Sequence, residues 1–416
     1  MNIKKTADLL INFAIKRLAE ILGIIIFIAG IMLLLSLATY SPEDPNFIFP
    51  DGTKIKNIMK VCILGNGLSS LTLAKALVNQ NIYVELIVQK KNLKIDQSRT
   101  LGISKSNIEF FKKNIINIEK LLWKLKRIEI YTDNLKNEKL LNFENNNEQI
   151  FSIIKNHELY KVLEKDLSKN KYFTKKHLTN KNLSFVNNYG IIINCDYFHN
   201  FTNNYFSKKI IKKYNSIAYT TIIRHKKILN NIASQIFTKR GPLAFLPISN
   251  TETSIVYSVH NSTEKENNIS ELINKYNFKY EIIKIDKIDS FELKSLNLRS
   301  YYHNNILAFG DLLHKIHPLA GQGFNMTIRD IKVLMNIIKD KLDLGLPLDS
   351  SVNKQFEKNL KYKNFIFSNG VDLIHEFFNI ERKTNNNILS KSVQFLGKNS
   401  SVNKAFTKIA DKGILF

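Results

Sequence analysis

MKVCILGNGLSSLTLAKALVNQNIYVELIV, residues 59–88, is the stretch of the sequence that decides the fold. It contains an apolar run, a glycine turn, a segment with the apolar spacing of a helix, and a second apolar run. This order is typical of the strand–helix–strand unit that opens a dinucleotide-binding domain. Gly65 and Gly67 occupy the first two glycine positions of the G-x-G-x-x-G turn, and Ser70 stands at the third. We therefore predict an α/β fold with a ligand-binding turn after the first strand.

A second glycine turn, GDLLHKIHPLAGQGFN, covers residues 310–325 and lies between an apolar strand and an amphipathic helix. Such a junction presents unpaired backbone N–H groups and the positive end of the helix dipole, which suit an anionic group. Gly321 and Gly323 would let a flat ligand approach the backbone closely, and Asp311 is placed to accept hydrogen bonds from a sugar or polyol. A metal site at His314 and His317 is not predicted, because no cysteine or carboxylate cluster lies nearby.

The composition of the chain argues against two classes of protein, the disulfide-stabilised proteins and the nucleic-acid-binding proteins. The chain has 416 residues, of which 44% are hydrophobic, and only two cysteines, Cys62 and Cys195. No disulfide framework is therefore expected. The net charge of +25 comes from lysines scattered along the chain, without a recognisable nucleic-acid module, so we predict no nucleic-acid partner. Attraction to acidic lipid head groups is the milder interpretation of the same charge.

The chain begins with an uncharged run, ILGIIIFIAGIMLLLSLATY, which predicts a transmembrane helix at about residues 21–40. Basic residues precede this run and acidic residues follow it, so the positive-inside rule would carry the rest of the chain outside, which conflicts with the dinucleotide-binding unit that begins at residue 59. The leader, residues 1–58, resembles the first membrane segment of the cell-division DNA translocases. Either a gene fusion anchors the protein, or the start codon is assigned too far upstream of Met59. In both cases we expect the leader to be irrelevant to the chemistry.

From Met59 to near its end, the chain resembles the FAD-dependent aromatic hydroxylases, most closely their ubiquinone-biosynthesis branch. Members of this family carry Gly-Asp-x-x-His, then His-Pro-x-x-Gly-Gln-Gly-x-Asn, then an aspartate in the next helix. Residues 98–125 resemble the family's arginine-containing helix, and residues 222–249 resemble its substrate-domain strands. The positions that match the loop motif are Gly310, Asp311, His314, His317, Pro318, Gly321, Gln322, Gly323, Asn325 and Asp330.

The resemblance implies an FAD-binding Rossmann-like domain at residues 59–207 and 289–342, interrupted by an antiparallel substrate domain at residues 208–288. Residues 343–416 are expected to form C-terminal helices. It also implies the cofactor-binding residues: Asp311 would bind the ribityl chain, Pro318 would lie close to the isoalloxazine, and backbone amides of residues 321–324 would face its N1–C2 edge. The full predicted set is Gly65, Gly67, Ser70, Arg99, Asp311, Pro318, Gly321, Gln322, Gly323, Phe324 and Asn325.

The activity implied by the resemblance is hydroxylation of the aromatic ring of a polyprenylated phenol in ubiquinone biosynthesis. Such monooxygenases use NADH or NADPH and O2, and react through a C4a-hydroperoxyflavin. The protein would orient the substrate and exclude water, so no catalytic residue is named and no metal is expected. The expected location is the cytoplasmic side of the bacterial inner membrane, with the membrane surface and other ubiquinone-biosynthesis proteins as partners.

Three positions depart from the family pattern. Ser70 replaces the third glycine of the first turn, and Val88 stands where an acidic residue is expected for the adenosine ribose. Tyr197 replaces a glycine in the usual Gly-Ala-Asp-Gly stretch. These departures keep an alternative open, in which the chain is a non-catalytic, flavoprotein-like component of a ubiquinone-biosynthesis assembly. Related reductases and halogenases share the fold, but we find no halogenase-type motif.

Overall fold

The structure is a computed structural model, and it describes residues 60–89, 96–135, 138–144, 148–177, 188–260, 266–318, 321–384, 387–399, 403–404, 407–408 and 411–412. The predicted leader, with its helix at residues 21–40, lies outside the described residues. Among the helices that are described, none is both long enough and apolar enough to cross a membrane.

The described residues contain eighteen strands and eight α-helices. The strands are β1 (Lys60–Leu64), β2 (Tyr83–Val88), β3 (Thr100–Ser104), β4 (Trp123–Leu125), β5 (Arg127–Thr132), β6 (Lys139–Glu144), β7 (Phe151–Lys155), β8 (Phe173–His177), β9 (Ile191–Asn194), β10 (Lys209–His225), β11 (Ile232–Thr238), β12 (Gly241–Pro247), β13 (Glu252–His260), β14 (Ile282–Ile285), β15 (Asp289–Leu298), β16 (Tyr302–His303), β17 (Ile306–Ala308) and β18 (His314–Lys315). The helices are α1 (Leu68–Val78), α2 (Lys105–Asn114), α3 (Asn156–Leu167), α4 (Asn200–Tyr205), α5 (Glu266–Tyr276), α6 (Gln322–Asp343), α7 (Ser350–Thr384) and α8 (Ile388–Lys398).

The first sheet has the strand order β16-β17-β9-β1-β2-β8, and every pairing in it is parallel except that of β16 with β17. The inner strands β17, β9, β1 and β2 are almost wholly buried, as their uninterrupted apolar runs predict for a sheet covered on both faces. Helix α1 follows β1 and buries Leu71, Leu73 and Leu77. Each such side chain contributes roughly 1.5–3 kcal/mol when it is fully buried. The predicted α/β fold is confirmed.

The second sheet is large and mainly antiparallel, with the order β18-β15-β10-β13-β12-β11-β5-β6 and with β14 paired to β10. The predicted substrate domain at residues 208–288 contains β10, β11, β12, β13 and β14 of this sheet. Strands β5, β6, β15 and β18 also belong to this sheet, although β15 begins at residue 289. Local periodicity predicts a strand but not its partner, because sheet pairing joins residues that are distant in sequence.

Residues 98–125 do not form the expected arginine-containing helix. Arg99 immediately precedes strand β3, and the α-helix in this segment covers only Lys105–Asn114, followed by a 3-10 turn at Glu119–Leu121 and the short strand β4. Strands β3, β7 and β4 form a third, antiparallel sheet. Thr100, Leu101 and Ile103 are β-branched or apolar residues that pack well in a strand, and here the tertiary pairing overrides the helical pattern.

The described part of the chain after residue 343 is mainly helical. Gly345 ends the preceding segment with a φ of +67°, a conformation that glycine adopts without steric cost. Helix α7 then runs for 35 residues and buries Phe356, Leu360 and Phe367 against the rest of the protein. Helix α8 lies against β6, where the amide of Gln394 donates to the carbonyl of Lys139 at 3.0 Å.

Candidate functional site

The two glycine turns lie next to each other at one edge of the parallel sheet. The first follows β1 and the second follows β17, and only β9 separates these two strands. Gly310 has a φ of +65°, and a Cβ atom there would lie 3.0 Å from Ser69 Oγ in the first turn of α1. The carboxyl ends of parallel strands, beside a strand crossover, are the usual ligand site of an open α/β sheet.

Two helices begin at this site with glycines. Gly67 is the N-cap of α1 and Gly321 is the N-cap of α6, with a φ of +62°. Neither helix has a side-chain cap or an acidic residue in its first turn among the described residues. The first-turn N–H groups, together with the positive ends of the helix dipoles, therefore form an anion-favouring edge.

There is open space beside two of the predicted glycines. A Cβ atom at Gly67 or at Gly323 would meet no atom within 4 Å. In contrast, a Cβ atom at Gly102 would lie 2.2 Å from the ring of Phe151. The space at Gly67 and Gly323 is what a cofactor that packs directly on the backbone requires, so the two turns fit the flavin dinucleotide that the sequence predicts.

Two carboxylates lie at the same edge. Asp311 is exposed in a short 3-10 turn after β17, and Asp196 follows β9 and packs against Gly65. Burial, with smaller contributions from the negative charges of Asp196 and Asp311, raises the pKa of the Cys195 thiol to about 12. The exposed carboxylate of Asp311 is available to hydroxyl groups of a ligand.

Asn325 is the residue that holds the second turn to the third sheet. Its side chain is completely buried. The amide nitrogen donates to the carbonyl of Gly102 at 2.9 Å and to the carbonyl of Gly321 at 3.2 Å. The amide oxygen accepts from the backbone N–H of Ser104 at 3.0 Å and from Asn107 Nδ2 at 2.8 Å. Because both atoms are engaged with the protein, the side chain fixes the loop, and only the backbone of Asn325 can serve the predicted cofactor role.

Gly102 is a site residue that the sequence reasoning missed. Its N and Cα atoms would lie 3.3 and 3.4 Å from a Cβ atom at Gly321, so β3 packs directly on the start of α6. The available signal was a glycine in the middle of an apolar strand, since such a glycine often marks a close approach of another backbone.

His314 and Asp330 form a buried pair that fixes the loop from the other side. Both side chains are nearly inaccessible, and His314 Nε2 contacts Asp330 Oδ2. The other carboxylate oxygen of Asp330 accepts from Asn364 Nδ2 of α7 at 3.0 Å. The aspartate of the loop motif therefore ties the loop, α6 and α7 together. Within the described part of the chain, no group of three or more histidine, cysteine, aspartate or glutamate residues could hold a metal.

His317, directly before Pro318, lies in an apolar and aromatic setting. Its ring centroid is 4.9 Å from that of Tyr214 and 4.6 Å from that of His375. Neither ring nitrogen has a hydrogen-bond partner among the described residues. Burial, with smaller contributions from His375 and Lys212, lowers the pKa of His317 to about 3. The imidazole is therefore neutral at physiological pH, and the loop keeps no positive charge at this position.

The remaining predicted residues divide into those at the turns and one outlier. Gln322 and Phe324 are buried, Gly323 is exposed, and Pro318 is half-buried beside the start of α6. Arg99 is exposed at the start of β3, and its carbonyl accepts the N–H of Asn156. No described contact joins Arg99 to the glycine turns, so its cofactor role stays a prediction.

The three residues that depart from the family pattern lie in different surroundings. Ser70 is buried in the first turn of α1. Val88 is buried at the end of β2 and offers no carboxylate. At the third departure, Tyr197 is 37% exposed, and its hydroxyl accepts from Lys209 Nζ at 2.9 Å.

Comparison with protein-family models finds two matches. Residues 215–343 match the FAD binding domain family, and this span contains the second turn and most of the large sheet. The match identifies FAD as the cofactor of this part of the chain. Residues 15–62 match the 4TM region of DNA translocase FtsK/SpoIIIE, in agreement with the resemblance of the leader.

Curated relatives agree with the expected branch of the family. The chain is 29% identical over 155 residues to 3-demethoxyubiquinol 3-hydroxylase of Escherichia coli, which covers 35% of this chain and 39% of the relative. It is 25% identical over 185 residues to the mitochondrial ubiquinone biosynthesis monooxygenase COQ6 of Dictyostelium discoideum, which covers 44% of this chain and 36% of the relative. The matched segments thus span less than half the length of these relatives. The predicted resemblance is confirmed.

Solved structures establish the fold over most of the chain. The p-nitrophenol 4-monooxygenase of Pseudomonas putida superposes with a TM-score of 0.69 at 9% identity, over 85% of this chain and 98% of that one. HpxO of Klebsiella pneumoniae, in complex with FAD and uric acid, superposes with a TM-score of 0.56 at 12% identity, over 85% of this chain and 93% of that one.

Proposed function

We propose that this protein is an FAD-dependent monooxygenase that hydroxylates the aromatic ring of a polyprenylated phenol in ubiquinone biosynthesis. NADH or NADPH and O2 are its co-substrates. The support comes from the FAD binding domain match and from relatives named for ubiquinone-biosynthesis hydroxylation. A further support is that all the residues that we predict to contact the flavin, except Arg99, lie on or beside one of the two glycine turns.

One observation carries the proposal. The N-termini of α1 and α6 are uncapped, Gly67 at the start of α1 and Gly323 in the first turn of α6 have open space beside them, and the exposed carboxylate of Asp311 lies at the same sheet edge. A dinucleotide needs anion donors for its pyrophosphate, an acceptor for its polyol chain and a flat surface for its ring system. The two turns offer all three.

The chain's own residues divide the work of binding and orientation. The N–H groups at the start of α1 would bind the pyrophosphate, and Asp311 would accept hydrogen bonds from the ribityl hydroxyls. The amides at the start of α6 would stabilise negative charge at the ring's N1–C2 edge by roughly 0.3–1 kcal/mol, or more where they are buried. When bound, the flavin supplies the redox and oxygen chemistry, so the protein requires no catalytic side chain of its own.

Several residues would keep the reacting region rigid and dry. Asn325 holds the backbone of Gly321 in position, and the buried pair of His314 and Asp330 supports the other end of the loop. His317 stays neutral beside Pro318 because of its burial. Strand β12, with the sequence GPLAFLP, would contribute the apolar wall against which an aromatic substrate is oriented.

The prenyl chain of such a substrate is insoluble in water, so we place the enzyme at the membrane on the cytoplasmic side of the bacterial inner membrane. The match of residues 15–62 to a membrane region and the net charge of +25 support this location. Other proteins of ubiquinone biosynthesis are further proposed partners.

The first test is the visible absorption spectrum of the purified full-length protein in detergent, before and after addition of FAD. We expect a bound oxidised-flavin spectrum that NADH or NADPH bleaches and O2 restores. Incubation with a prenylated phenol should then yield a product that has gained one oxygen atom. A protein that is folded by circular dichroism but binds no flavin at saturating FAD would contradict the proposal and support the non-catalytic alternative.

A further inference from the structure

Helix α7 carries a stripe of large apolar side chains on its outward face. Tyr362, Ile366, Leu373 and Ile380 follow one another at spacings of four, seven and seven residues and are 78%, 43%, 71% and 53% exposed. With 3.6 residues per turn, these four positions fall within about 40° of one another around the helix. We call these four residues the α7 stripe.

The opposite face of the same helix is already packed. Phe356, Leu360, Phe367 and Val371 are buried against the rest of the protein. Helix α7 therefore has apolar residues on two faces. One face packs against the rest of the protein, and the other, the α7 stripe, is exposed to solvent. An exposed row of this kind marks a surface that meets a partner or a membrane.

The charges around the stripe favour one kind of partner. Helix α7 has four acidic residues, and each is already engaged. Glu357 bonds Lys361 and Glu376 bonds Lys212, both at 2.9 Å, while Asp372 accepts from Tyr214 and Glu381 accepts from Ser390. By contrast, Lys354, Lys358 and Lys383 of the same helix are exposed to solvent. The net field along the stripe is therefore positive.

Helix α8 continues this pattern. Ile388 and Phe395 are seven residues apart and are 61% and 77% exposed. Lys391 and Lys398 flank them on the solvent side, and the helix contains no acidic residue. Both C-terminal helices thus combine an exposed apolar row with lysines.

We propose that the α7 stripe docks on the surface of an anionic lipid bilayer, with the helix lying in the plane of the interface. Apolar side chains would enter the acyl boundary, and the flanking lysines would reach lipid phosphates, as amphipathic interfacial helices do. A second copy of this chain fits less well, because two such stripes would bring lysines together without free carboxylates to pair them. This docking surface is distinct from the predicted leader and requires no flavin, so it can fail or hold independently of the proposed function.

The test uses the full-length chain with a fluorescent reporter on the stripe. Leu373→Cys is labelled with the environment-sensitive dye NBD and mixed with vesicles of equimolar phosphatidylcholine and phosphatidylglycerol. Leu229→Cys, at a position that is 81% exposed on the loop between β10 and β11, is the matched control. Unsubstituted protein controls for labelling of Cys62 and Cys195, whose thiols have raised pKa values.

We expect the emission of NBD at position 373 to shift to the blue and to rise several-fold in intensity with the anionic vesicles, while NBD at position 229 remains unchanged. Pure phosphatidylcholine vesicles and high salt should reduce the shift, because screening weakens attraction to the lipid phosphates. Lys358→Glu should also reduce the shift at position 373, whereas Lys227→Glu, on the control loop, should not. No shift at position 373, equal shifts at both positions, or a shift without vesicles in a dimeric protein would each overturn the proposal.

Discussion

Gly310, after strand β17, and Ser69, in the first turn of helix α1, are in contact at the edge of the parallel sheet, although they are far apart in sequence. A Cβ atom at Gly310 would lie 3.0 Å from both Cβ and Oγ of Ser69. The φ of +65° at Gly310 places the backbone in the left-handed region as well. The second turn can therefore approach the first helix only because residue 310 has no side chain, and this approach brings the two halves of the candidate flavin site together.

The Gly310→Ala variant should lose stability for two reasons. The left-handed conformation costs a residue with a Cβ atom about 1–2 kcal/mol, and the contact with Ser69 adds to this cost. Gly345→Ala is the matched control, because Gly345 has nearly the same φ of +67° but nothing within 4 Å of its Cβ position. Urea unfolding should show a larger loss for Gly310→Ala than for Gly345→Ala, and equal losses would mean that the contact with Ser69 is unimportant.

The Gly323→Ala variant should separate cofactor binding from folding. A Cβ atom at Gly323 meets no atom of the protein within 4 Å, and alanine is favoured over glycine in a helix by roughly 0.5–1 kcal/mol. We expect unchanged or higher stability with clearly weaker FAD binding, measured by titration of the flavin absorbance. Unaltered FAD affinity would show that the ring does not lie against this residue.

The Asp311→Ala variant should bind FAD more weakly while the protein stays folded. A charge-assisted hydrogen bond contributes roughly 1.5–3 kcal/mol, so we expect affinity to fall by about 10- to 150-fold. Asp340→Ala, an exposed position on α6, is the control and should leave affinity unchanged. Retention of flavin by Asp311→Ala at the affinity of the parent protein would contradict the assignment of Asp311 to the ribityl chain.

The Asn325→Ala variant should lower the free energy of unfolding by about 2–4 kcal/mol, because it leaves buried carbonyl and N–H groups of β3, α2 and the loop without partners. Asn369→Ala is a control, since Asn369 is exposed and donates only to the carbonyl of Phe365. That change should stay within about 0.5 kcal/mol. If Asn325→Ala lost flavin without losing stability, the side chain would be a ligand contact rather than a clamp.

Stability should fall in mild acid because of His317. Its pKa is about 3 in the folded protein and 6.5 as the ordinary value, so below pH 6.5 the unfolded chain binds a proton that the folded protein does not. The contribution is present above pH 6.5 and is lost progressively toward pH 3, reaching a loss of about 2 kcal/mol at pH 5.

His317→Phe should remove this contribution. Urea unfolding at pH 8 and pH 5 should therefore show a smaller drop for the variant than for the parent protein, by about 2 kcal/mol. Identical drops in the two proteins would place His317 in a hydrated environment. Comparing the two proteins at each pH cancels the carboxylates that they share.

The sequence by itself determined the local elements of this protein and the chemistry of its two turns. The strand–helix–strand unit after residue 59, the strand before Gly310 and the helix after Gly321 all follow from apolar periodicity and from glycines, which are local signals. The motif residues were also recognisable because their spacing along the chain is fixed by a single loop.

Tertiary structure decided which of these elements meet. Strands β5, β6 and β15 pair within the large sheet. Arg99 lies directly before strand β3, and the backbone of Gly102 packs against Gly321. The tertiary structure also gave the side-chain amide of Asn325 four hydrogen-bond partners within the protein, so that this side chain fixes the loop. The physical reason is that pairing between strands and the closing of buried polar groups depend on residues far apart in sequence, and no local pattern contains that information.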